Sequence, residues 1–143
     1  MKISIGSDHG GFDLKEEVCQ YLKSKQITVD DCGCFGRESV DYPDYAKAVS
    51  KKVSDGESDY GILICTTGIG MSITANKFPK IRAALCVNEN MAEMTRRHNN
   101  ANVLCLGARY TPIEEAKKLV DIFLSTQFEG GRHLRRVEKI SAC

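Results

Sequence analysis

Short apolar runs alternate with longer amphipathic stretches along the whole chain. Five of the runs have the length of β-strands and are rich in β-branched residues, which favour strands. These runs are KISIG (2–6), ITVDDC (27–32), YGILIC (60–65), IRAALCV (81–87) and NVLCLG (102–107). The pattern therefore predicts five strands.

The stretches between these strands carry apolar residues near helical spacing, which predicts helices. They are 11–25, 43–54, 70–77, 89–98 and 112–125. Strands that alternate with helices pair in parallel, with the helices covering the faces of the sheet. We predict a single α/β domain over 1–143, with a three-layer α/β/α Rossmann-like fold and a five-stranded parallel sheet. A helical extension is expected from about 130.

The charge and hydropathy of the chain exclude several function classes. The 20 basic and 19 acidic residues leave a formal net charge of +1, so we expect no nucleic-acid partner. No apolar stretch approaches the roughly 20 residues of a membrane span, and the N-terminal segment turns polar too early for a signal peptide. We therefore expect a cytoplasmic protein with no membrane partner.

The number and spacing of the seven cysteines indicate neither a disulfide framework nor a metal site. Their number is odd, and several lie within the apolar runs, where cysteine packs as a small hydrophobe. Cys32 and Cys34 are one residue apart, which is the wrong spacing for the usual zinc pairs. We expect free thiols, no metal and no other cofactor.

Three loops follow predicted strands with a combination of small and reactive residues. They read GSDHGG after the first strand, CTTGIG after the third and LGARYT after the fifth. In open parallel sheets, ligands bind beyond the carboxyl ends of the strands, where helix N-termini attract anions. The three loops therefore predict a site for an oxyanion or a phosphate.

Cys65 ends the third strand at the start of a glycine-rich turn. A cysteine in this position is most often a packing residue. However, a thiol beside a helix N-terminus and in reach of solvent is also where a reactive thiolate forms. Cys65 is thus a candidate nucleophile or general base.

The remaining candidates each have a structural alternative. Asp8 is as well suited to capping the next helix as to chemistry, and His98 suits a helix C-terminus as a cation. His9 and His98 could act as acid, base or phosphate ligand. Arg132 and Arg136 share one helix face and suit a phosphate, but the same pattern fits a solvated C-terminal helix.

A partial dinucleotide-binding motif supplies a second function class. GIGMSI places Gly68 and Gly70 after a strand, with Glu89 at about the spacing of a ribose-binding acid. The third glycine is replaced by Ile73, and a chain of this size leaves little room for a separate substrate domain. A nucleotide-binding module or phosphate sensor is therefore the weaker alternative.

Five segments together resemble the type B ribose-5-phosphate isomerases and the related galactose-6-phosphate and allose-6-phosphate isomerases. They are GSDHGGFDLK, DYPDYA, GILICTTGIGMSITANK, RRHNNANVLCLGAR and FEGGRHLRRV. The resemblance spans residues 1 to about 140. Thr66 departs from the family pattern, which often has glycine there, so the preferred sugar is the property that this departure affects first.

The resemblance implies an aldose–ketose isomerase that converts ribose 5-phosphate and ribulose 5-phosphate through an enediolate, in the non-oxidative pentose phosphate pathway. It implies Cys65 as the base, His98 as the group that opens the sugar ring, and Thr67 as a stabiliser of the enediolate. The other implied site residues bind the sugar hydroxyls, the enediolate or the phosphate. They are Asp8, His9, Tyr42, Thr66, Gly68, Ile69, Gly70, Asn99, Arg109, Arg132 and Arg136.

Two further expectations come with the resemblance. Its sites lie between subunits, which implies a homodimer or a dimer-based tetramer. An isomerase for allose 6-phosphate or galactose 6-phosphate is the alternative within the same family. The apolar stripe Leu134, Val137 and Ile140 in the C-terminal segment is the one feature of the residues that hints at association, and it could equally pack on its own domain.

Overall fold

The computed structural model describes all of residues 1–143 and contains one parallel five-stranded sheet. The strands are β1 (Lys2–Ser7), β2 (Thr28–Asp31), β3 (Tyr60–Cys65), β4 (Ala83–Leu85) and β5 (Val103–Gly107). Their order across the sheet is β2-β1-β3-β5-β4. The predicted parallel sheet is confirmed.

Six helices complete the fold. They are α1 (Phe12–Ser24), α2 (Tyr42–Ser54), α3 (Ile69–Ala75), α4 (Glu89–Asn99), α5 (Ile113–Ser125) and α6 (Arg132–Ser141). The first five match the predicted helices within one or two residues at each end. The sixth is the expected C-terminal extension.

Side chains that alternate along the strands divide the core into two layers, as the period of two in a strand requires. Ile62 and Ile64 of β3 join a cluster with α1, α4 and α5, whereas Leu63 and Cys65 join a cluster with α2 and α3. Helices therefore cover both faces, which confirms the three-layer α/β/α arrangement.

The fourth strand is shorter than its apolar run predicts. Ile81 packs in the core beside the strand, while Val87 is exposed beyond it. Before the strand, the backbone N–H of Arg82 donates to the side chain of Asn102 instead of to a neighbouring strand. Cys86, predicted within the strand, follows it and is buried. The predicted strand was too long because apolar side chains also occupy the turns on either side of it.

The strand order places a crevice between β1 and β3. The chain runs outward from this point in both directions, to β2 on one side and to β5 and β4 on the other. Helix α1, which follows β1, and helix α3, which follows β3, lie on opposite faces of the sheet. The loops after β1 and β3 therefore separate at the carboxyl edge, where such folds bind ligands.

No helix in the structure has both the length and the apolar composition needed to cross a membrane.

Candidate active site

The loop after β1 holds two of the predicted residues at the crevice. The carboxylate of Asp8 is buried and accepts a hydrogen bond from the backbone N–H of Gly11 at 3.1 Å, so Asp8 caps the short 3-10 turn His9–Gly11. The ring of His9 is exposed, and its Nδ1 accepts from the N–H of Val40 at 3.2 Å. This bond leaves the proton of a neutral His9 on Nε2, where it can be donated to a ligand.

The loop after β3 places a sulfur atom against a backbone donor. The Sγ of Cys65 accepts a hydrogen bond from the N–H of Gly68 at 3.1 Å, and the residue is only 5% exposed. The hydroxyl of Thr67 accepts from the N–H of Ile69 at 3.3 Å. An N–H group directed at the sulfur stabilises negative charge on it, which is what a nucleophilic or basic thiol requires.

Gly68 makes this turn possible. Its φ of 78° lies in the left-handed region, where a side chain would be strained. An added Cβ would also lie 2.9 Å from the carbonyl carbon of Leu106 and 3.0 Å from the nitrogen of Gly107. The backbone of the turn is therefore held tightly against the end of β5, and the N–H that meets the sulfur is fixed in direction.

Four more predicted residues surround this turn. A Cβ added at Gly70 would overlap the ring of Tyr42, so the ring of Tyr42 packs on the first turn of α3. A Cβ added at Gly10 would overlap the hydroxyl of Thr66, which places Thr66 against the first loop. The backbone N–H of Arg109 donates to the carbonyl of Thr66 at 3.0 Å. We call the group at this edge the thiol cluster. Its members are Asp8, His9, Tyr42, Cys65, Thr66, Thr67, Gly68, Ile69, Gly70 and Arg109.

Burial keeps three thiols elsewhere in the chain in their protonated form. Burial raises the pKa of Cys86 to about 12, and burial together with Asp31 raises that of Cys19 to about 11. Burial also raises the pKa of Cys105. These cysteines stay protonated at neutral pH and are packing residues, as the sequence predicted for Cys86 and Cys105.

The other predicted residues lie at the opposite edge of the sheet. His98 and Asn99 end α4 just before β5 begins, and the carbonyl of Asn99 accepts from Nε of Arg82 at 3.1 Å, ahead of β4. The guanidinium of Arg96 donates to the hydroxyl of Tyr60, the first residue of β3, at 3.1 Å. Cys65 is at the far end of β3. Six residues of strand separate the two edges by roughly 16 Å.

A second group of side chains surrounds His98. The imidazoles of His98 and His133 are stacked, with centroids 4.2 Å apart and ring planes 11° apart. Glu129 approaches both rings, and Arg132 and Arg136 follow on α6. We call this group the histidine cluster. Its members are His98, Asn99, Glu129, Arg132, His133 and Arg136.

One chain therefore does not bring all the predicted residues together. The thiol cluster contains ten of them, while His98, Asn99, Arg132 and Arg136 form part of the histidine cluster. A groove of about 790 Å³ borders Asn99, Ile140 and Cys143, and Cys65 is not among its lining residues. The residues predicted to be catalytic, Cys65, Thr67 and His98, do not line this groove.

The sequence did not predict the contact of His133 with His98 or the position of Glu129. Glu129 lies between α5 and α6, and its backbone N–H donates to the carbonyl of Arg97 at 3.0 Å. The only signal in the sequence is that Glu129 and His133 are four residues apart. Nothing in the sequence indicates that α6 folds back on the end of α4.

Comparison with known proteins gives one consistent result. The sequence model of the family described as Ribose/Galactose Isomerase matches residues 3–140. The chain is 49% identical over 141 residues to ribose-5-phosphate isomerase B of Escherichia coli, an alignment that covers 99% of this chain and 95% of the relative. It is 48% identical over 140 residues to a probable ribose-5-phosphate isomerase B of Mycoplasma genitalium, covering 96% and 92%.

Solved structures agree with this result. The ribose-5-phosphate isomerase B of Clostridium thermocellum superposes with a TM-score of 0.98 at 53% identity, over 99% of this chain and 96% of the other. The Mycoplasma genitalium ribose-5-phosphate isomerase B, solved with bound ribulose-5-phosphate, superposes with a TM-score of 0.95 at 47% identity, over 99% and 94%. The resemblance and the fold predicted from the sequence are both confirmed.

Proposed function

Because the chain belongs to the ribose/galactose isomerase family, we propose that it interconverts ribose 5-phosphate and ribulose 5-phosphate through an enediolate. The observation that carries the proposal is the hydrogen bond from the N–H of Gly68 to the sulfur of Cys65. It joins a potential base to a turn that offers further donors. The bound ribulose-5-phosphate of the Mycoplasma genitalium relative supports the choice of substrate.

In the proposed reaction, the Cys65 thiolate removes the proton from C2 of the open-chain aldose. The electron pair of the C–H bond forms the C1–C2 double bond, and the carbonyl oxygen becomes the enediolate oxygen. Thr67 and the N–H groups at the start of α3 stabilise that oxygen. The thiol then returns the proton to C1 while the C2 hydroxyl gives its proton to O1, so that the C2 carbonyl of the ketose forms and the thiolate is regenerated. The step needs no redox cofactor, and we propose none.

The histidine cluster would open the sugar ring and bind the phosphate. Ribose 5-phosphate is mainly a closed furanose, so a group is needed that takes the proton from O1 and returns one to the ring oxygen. We assign this role to His98, with Asn99 and Asp8 binding hydroxyls. Arg132 and Arg136, with His9 and Arg109, would hold the phosphate.

These roles require two copies of the chain, because the two clusters lie at opposite edges of the sheet. We propose a homodimer, or a tetramer built from two such dimers, in which the thiol cluster of one copy faces the histidine cluster of the other. Uncovered apolar side chains beside the clusters support this arrangement. Ile69 and Ile73 on α3 are 49% and 61% exposed, and Leu134 on α6 is also exposed.

A subunit complementation experiment tests both the function and the division of the site. Cys65→Ala and His98→Asn are each expected to lose isomerisation of ribose 5-phosphate as homodimers. After random reassembly of equal amounts, half of the dimers are mixed, and each mixed dimer contains one site with neither substitution. About a quarter of the wild-type activity should return. The recovered activity is compared with the activity of each variant alone at the same total protein concentration.

Three results would count against the proposal. Absence of turnover by the wild-type protein on ribose 5-phosphate would reject the substrate, and a panel with allose 6-phosphate and galactose 6-phosphate would then identify a related sugar. Inactive mixtures from two inactive variants would place both residues in one chain's site. Micromolar binding of NADH without sugar-phosphate turnover would favour the nucleotide-binding alternative.

We also propose that the protein works in the cytoplasm. All seven of its cysteines are free thiols in the structure, including a thiol proposed to be catalytic. A reducing compartment preserves such thiols.

A further inference from the structure

Glu129 lies beside the two stacked histidines, near the Nε2 atom of each ring, and the proposed function does not yet use it. One carboxylate oxygen lies 3.3 Å from Nη2 of Arg97 and 3.9 Å from Nε2 of His98. The other oxygen lies 3.7 Å from Nε2 of His133. The backbone hydrogen bond from Glu129 to Arg97 fixes the start of this side chain at the end of α4.

His133 has a polar atom that lacks a partner. The residue is 6% exposed, and its buried Nε2 makes no hydrogen bond. A buried polar atom without a partner is unfavourable. The acceptor that faces it is the Glu129 carboxylate, and a movement of less than about 1 Å would bring the two atoms to hydrogen-bond distance.

The charges around the two rings make Glu129 distinctive. Burial lowers the pKa of His133, and the neighbouring His98, Arg132 and Arg136 lower it further, whereas Glu129 raises it. Arg97 adds another cation at the end of α4 and also pairs with Glu93. Glu129 is therefore the anion that raises the pKa of His133, among neighbours that are positively charged or basic.

We propose that Glu129 is a positioning residue that orients His98 and His133 and stabilises the imidazolium formed when the sugar ring opens. The proposal rests on the proposed function. Because Nε2 is the nitrogen of His98 that lies near Glu129, we assign the exchange with the sugar to Nδ1. It takes the proton of O1 as the C1–O bond of the ring breaks and the carbonyl forms, and it then protonates the ring oxygen. Glu129 itself exchanges no proton.

A divalent cation is the other species that such a group attracts. The nearest ligand atoms of His98, Glu129 and His133 lie within 4.8 Å of one another. However, Arg97 already contacts the carboxylate, and Arg132 and Arg136 add positive charge. The parallel rings would also have to tilt, because a metal binds in the plane of each imidazole. The arrangement therefore favours a proton over a metal ion.

The test compares Glu129→Gln with the matched control Glu93→Gln, which also removes an anion beside Arg97. In Glu129→Gln, the pKa of His133, followed by NMR of the imidazole, should fall, because the carboxylate that raises it is gone. The kcat for ribose 5-phosphate should fall by about 10- to 100-fold, because the imidazolium formed during ring opening loses the carboxylate proposed to close on it and stabilise it. Glu93→Gln should leave the pKa of His133 unchanged and should alter kcat by no more than twofold.

Two further measurements separate positioning from a general structural effect. Turnover of erythrose 4-phosphate, whose ring cannot close as a furanose, should stay within threefold in Glu129→Gln because no ring has to open. Glu129→Asp retains the negative charge, so the pKa of His133 in this variant should lie closer to the wild-type value than to the value in Glu129→Gln. The NMR measurements detect the effect of Glu129 on His133 even if ribose 5-phosphate is not the substrate. The proposed function and the proposed role of Glu129 can therefore fail separately.

Three outcomes would overturn the inference. The first is a Glu129→Gln protein that matches Glu93→Gln in both titration and kcat. The second is an equal loss of kcat on the cyclic and the open-chain substrate. The third is a difference between wild type and Glu129→Gln that disappears after treatment with a chelator and returns with Zn²⁺, because a cation would then be the species that Glu129 holds.

Discussion

The thiol cluster is held mainly by backbone groups, whereas the histidine cluster consists mainly of side chains. In the thiol cluster, backbone groups fix the chemistry: an N–H meets the Cys65 sulfur, and Gly68 and Gly107 pack backbone against backbone. In the histidine cluster, long and charged side chains at the ends of α4 and α6 contact one another at 3.3 to 3.9 Å. The first is held by backbone contacts within one chain, whereas in the second the buried Nε2 of His133 has no hydrogen-bond partner.

This difference suggests a division of tasks. Stabilising an enediolate requires donors that are already aligned before charge develops, and a backbone turn provides them without reorganisation. Opening a ring and gripping a phosphate require groups that change protonation state or close on a ligand, and side chains on helix ends can do so. In the proposed function, enediolate stabilisation therefore belongs to the backbone turn at the carboxyl edge, and ring opening and phosphate binding belong mainly to the side chains at the amino edge.

The largest predicted effect breaks the thiol cluster. Cys65→Ala removes the proposed base and should lower kcat for ribose 5-phosphate by about 10²- to 10⁴-fold. The free energy of unfolding should fall by only about 1 kcal/mol, because one small buried group is lost. Cys105→Ala is the matched control: it removes a fully buried thiol and should destabilise the fold to a similar extent with kcat retained. Equal activity of the two variants would make Cys65 a packing residue.

The second effect breaks the histidine cluster at its proposed acid and base. His98→Asn keeps a polar side chain but cannot exchange a proton at neutral pH, so kcat on cyclic ribose 5-phosphate should fall by about 10²-fold. On open-chain erythrose 4-phosphate the loss should be much smaller, whereas Cys65→Ala should impair both substrates. Parallel losses of His98→Asn on the two substrates would remove ring opening from its role.

The third effect concerns the phosphate. Arg132 and Arg136 are exposed and four residues apart on α6, so both can direct guanidinium groups to one anion. The double Arg132→Lys and Arg136→Lys variant keeps the charge but loses the planar fork, and kcat/KM for ribose 5-phosphate should fall by about 10-fold or more. Unphosphorylated ribose should be affected little.

Arg135→Lys supplies the control for this pair, because Arg135 is an exposed arginine on the same helix next to Arg136. It should leave kcat/KM within twofold, as expected for a solvated charge. If the double variant behaves like Arg135→Lys, the two arginines do not bind phosphate. The C-terminal helix would then be the solvated helix that the sequence also allowed.

The two clusters also differ in how well the sequence predicts them. The turn at Cys65 is local, because a strand, a thiol, two glycines and a helix follow one another within about ten residues. Its position at the carboxyl edge then follows from the parallel sheet. The fold was predictable for the same reason, since each strand and helix carries its own hydrophobic period.

The histidine cluster is not local in this sense. His98 and His133 are 35 residues apart in sequence, and their stacking depends on how α6 packs on α4. The apolar stripe of α6 predicted an amphipathic helix, but only Val137 is buried, while Leu134 and Ile140 remain exposed. The sequence alone therefore did not indicate which surface α6 covers, and Glu129 was missed together with that contact.

The smallest predicted effect sharpens the description of the thiol cluster and concerns Thr66, the departure from the family pattern. An added Cβ at Gly10 would overlap the Thr66 hydroxyl, while the nearest other atoms, the nitrogen of Thr66 and a carboxylate oxygen of Asp8, lie at 3.3 and 3.4 Å. Gly10→Ala should therefore displace the Thr66 side chain and lower kcat/KM several-fold, by about 1 kcal/mol. Thr66→Gly alone should have little effect on ribose 5-phosphate.

The double variant decides whether this contact is direct. If the Thr66 hydroxyl is the atom that excludes a methyl group at position 10, combining Gly10→Ala with Thr66→Gly should restore most of the lost kcat/KM, because the glycine leaves room for the added Cβ. The measured quantity is the coupling energy of the cycle, which should be close in size to the loss in Gly10→Ala and opposite in sign. Additive losses would instead show that Gly10→Ala acts through the backbone of the first loop and the Asp8 cap, so that the two loops of the thiol cluster are independent.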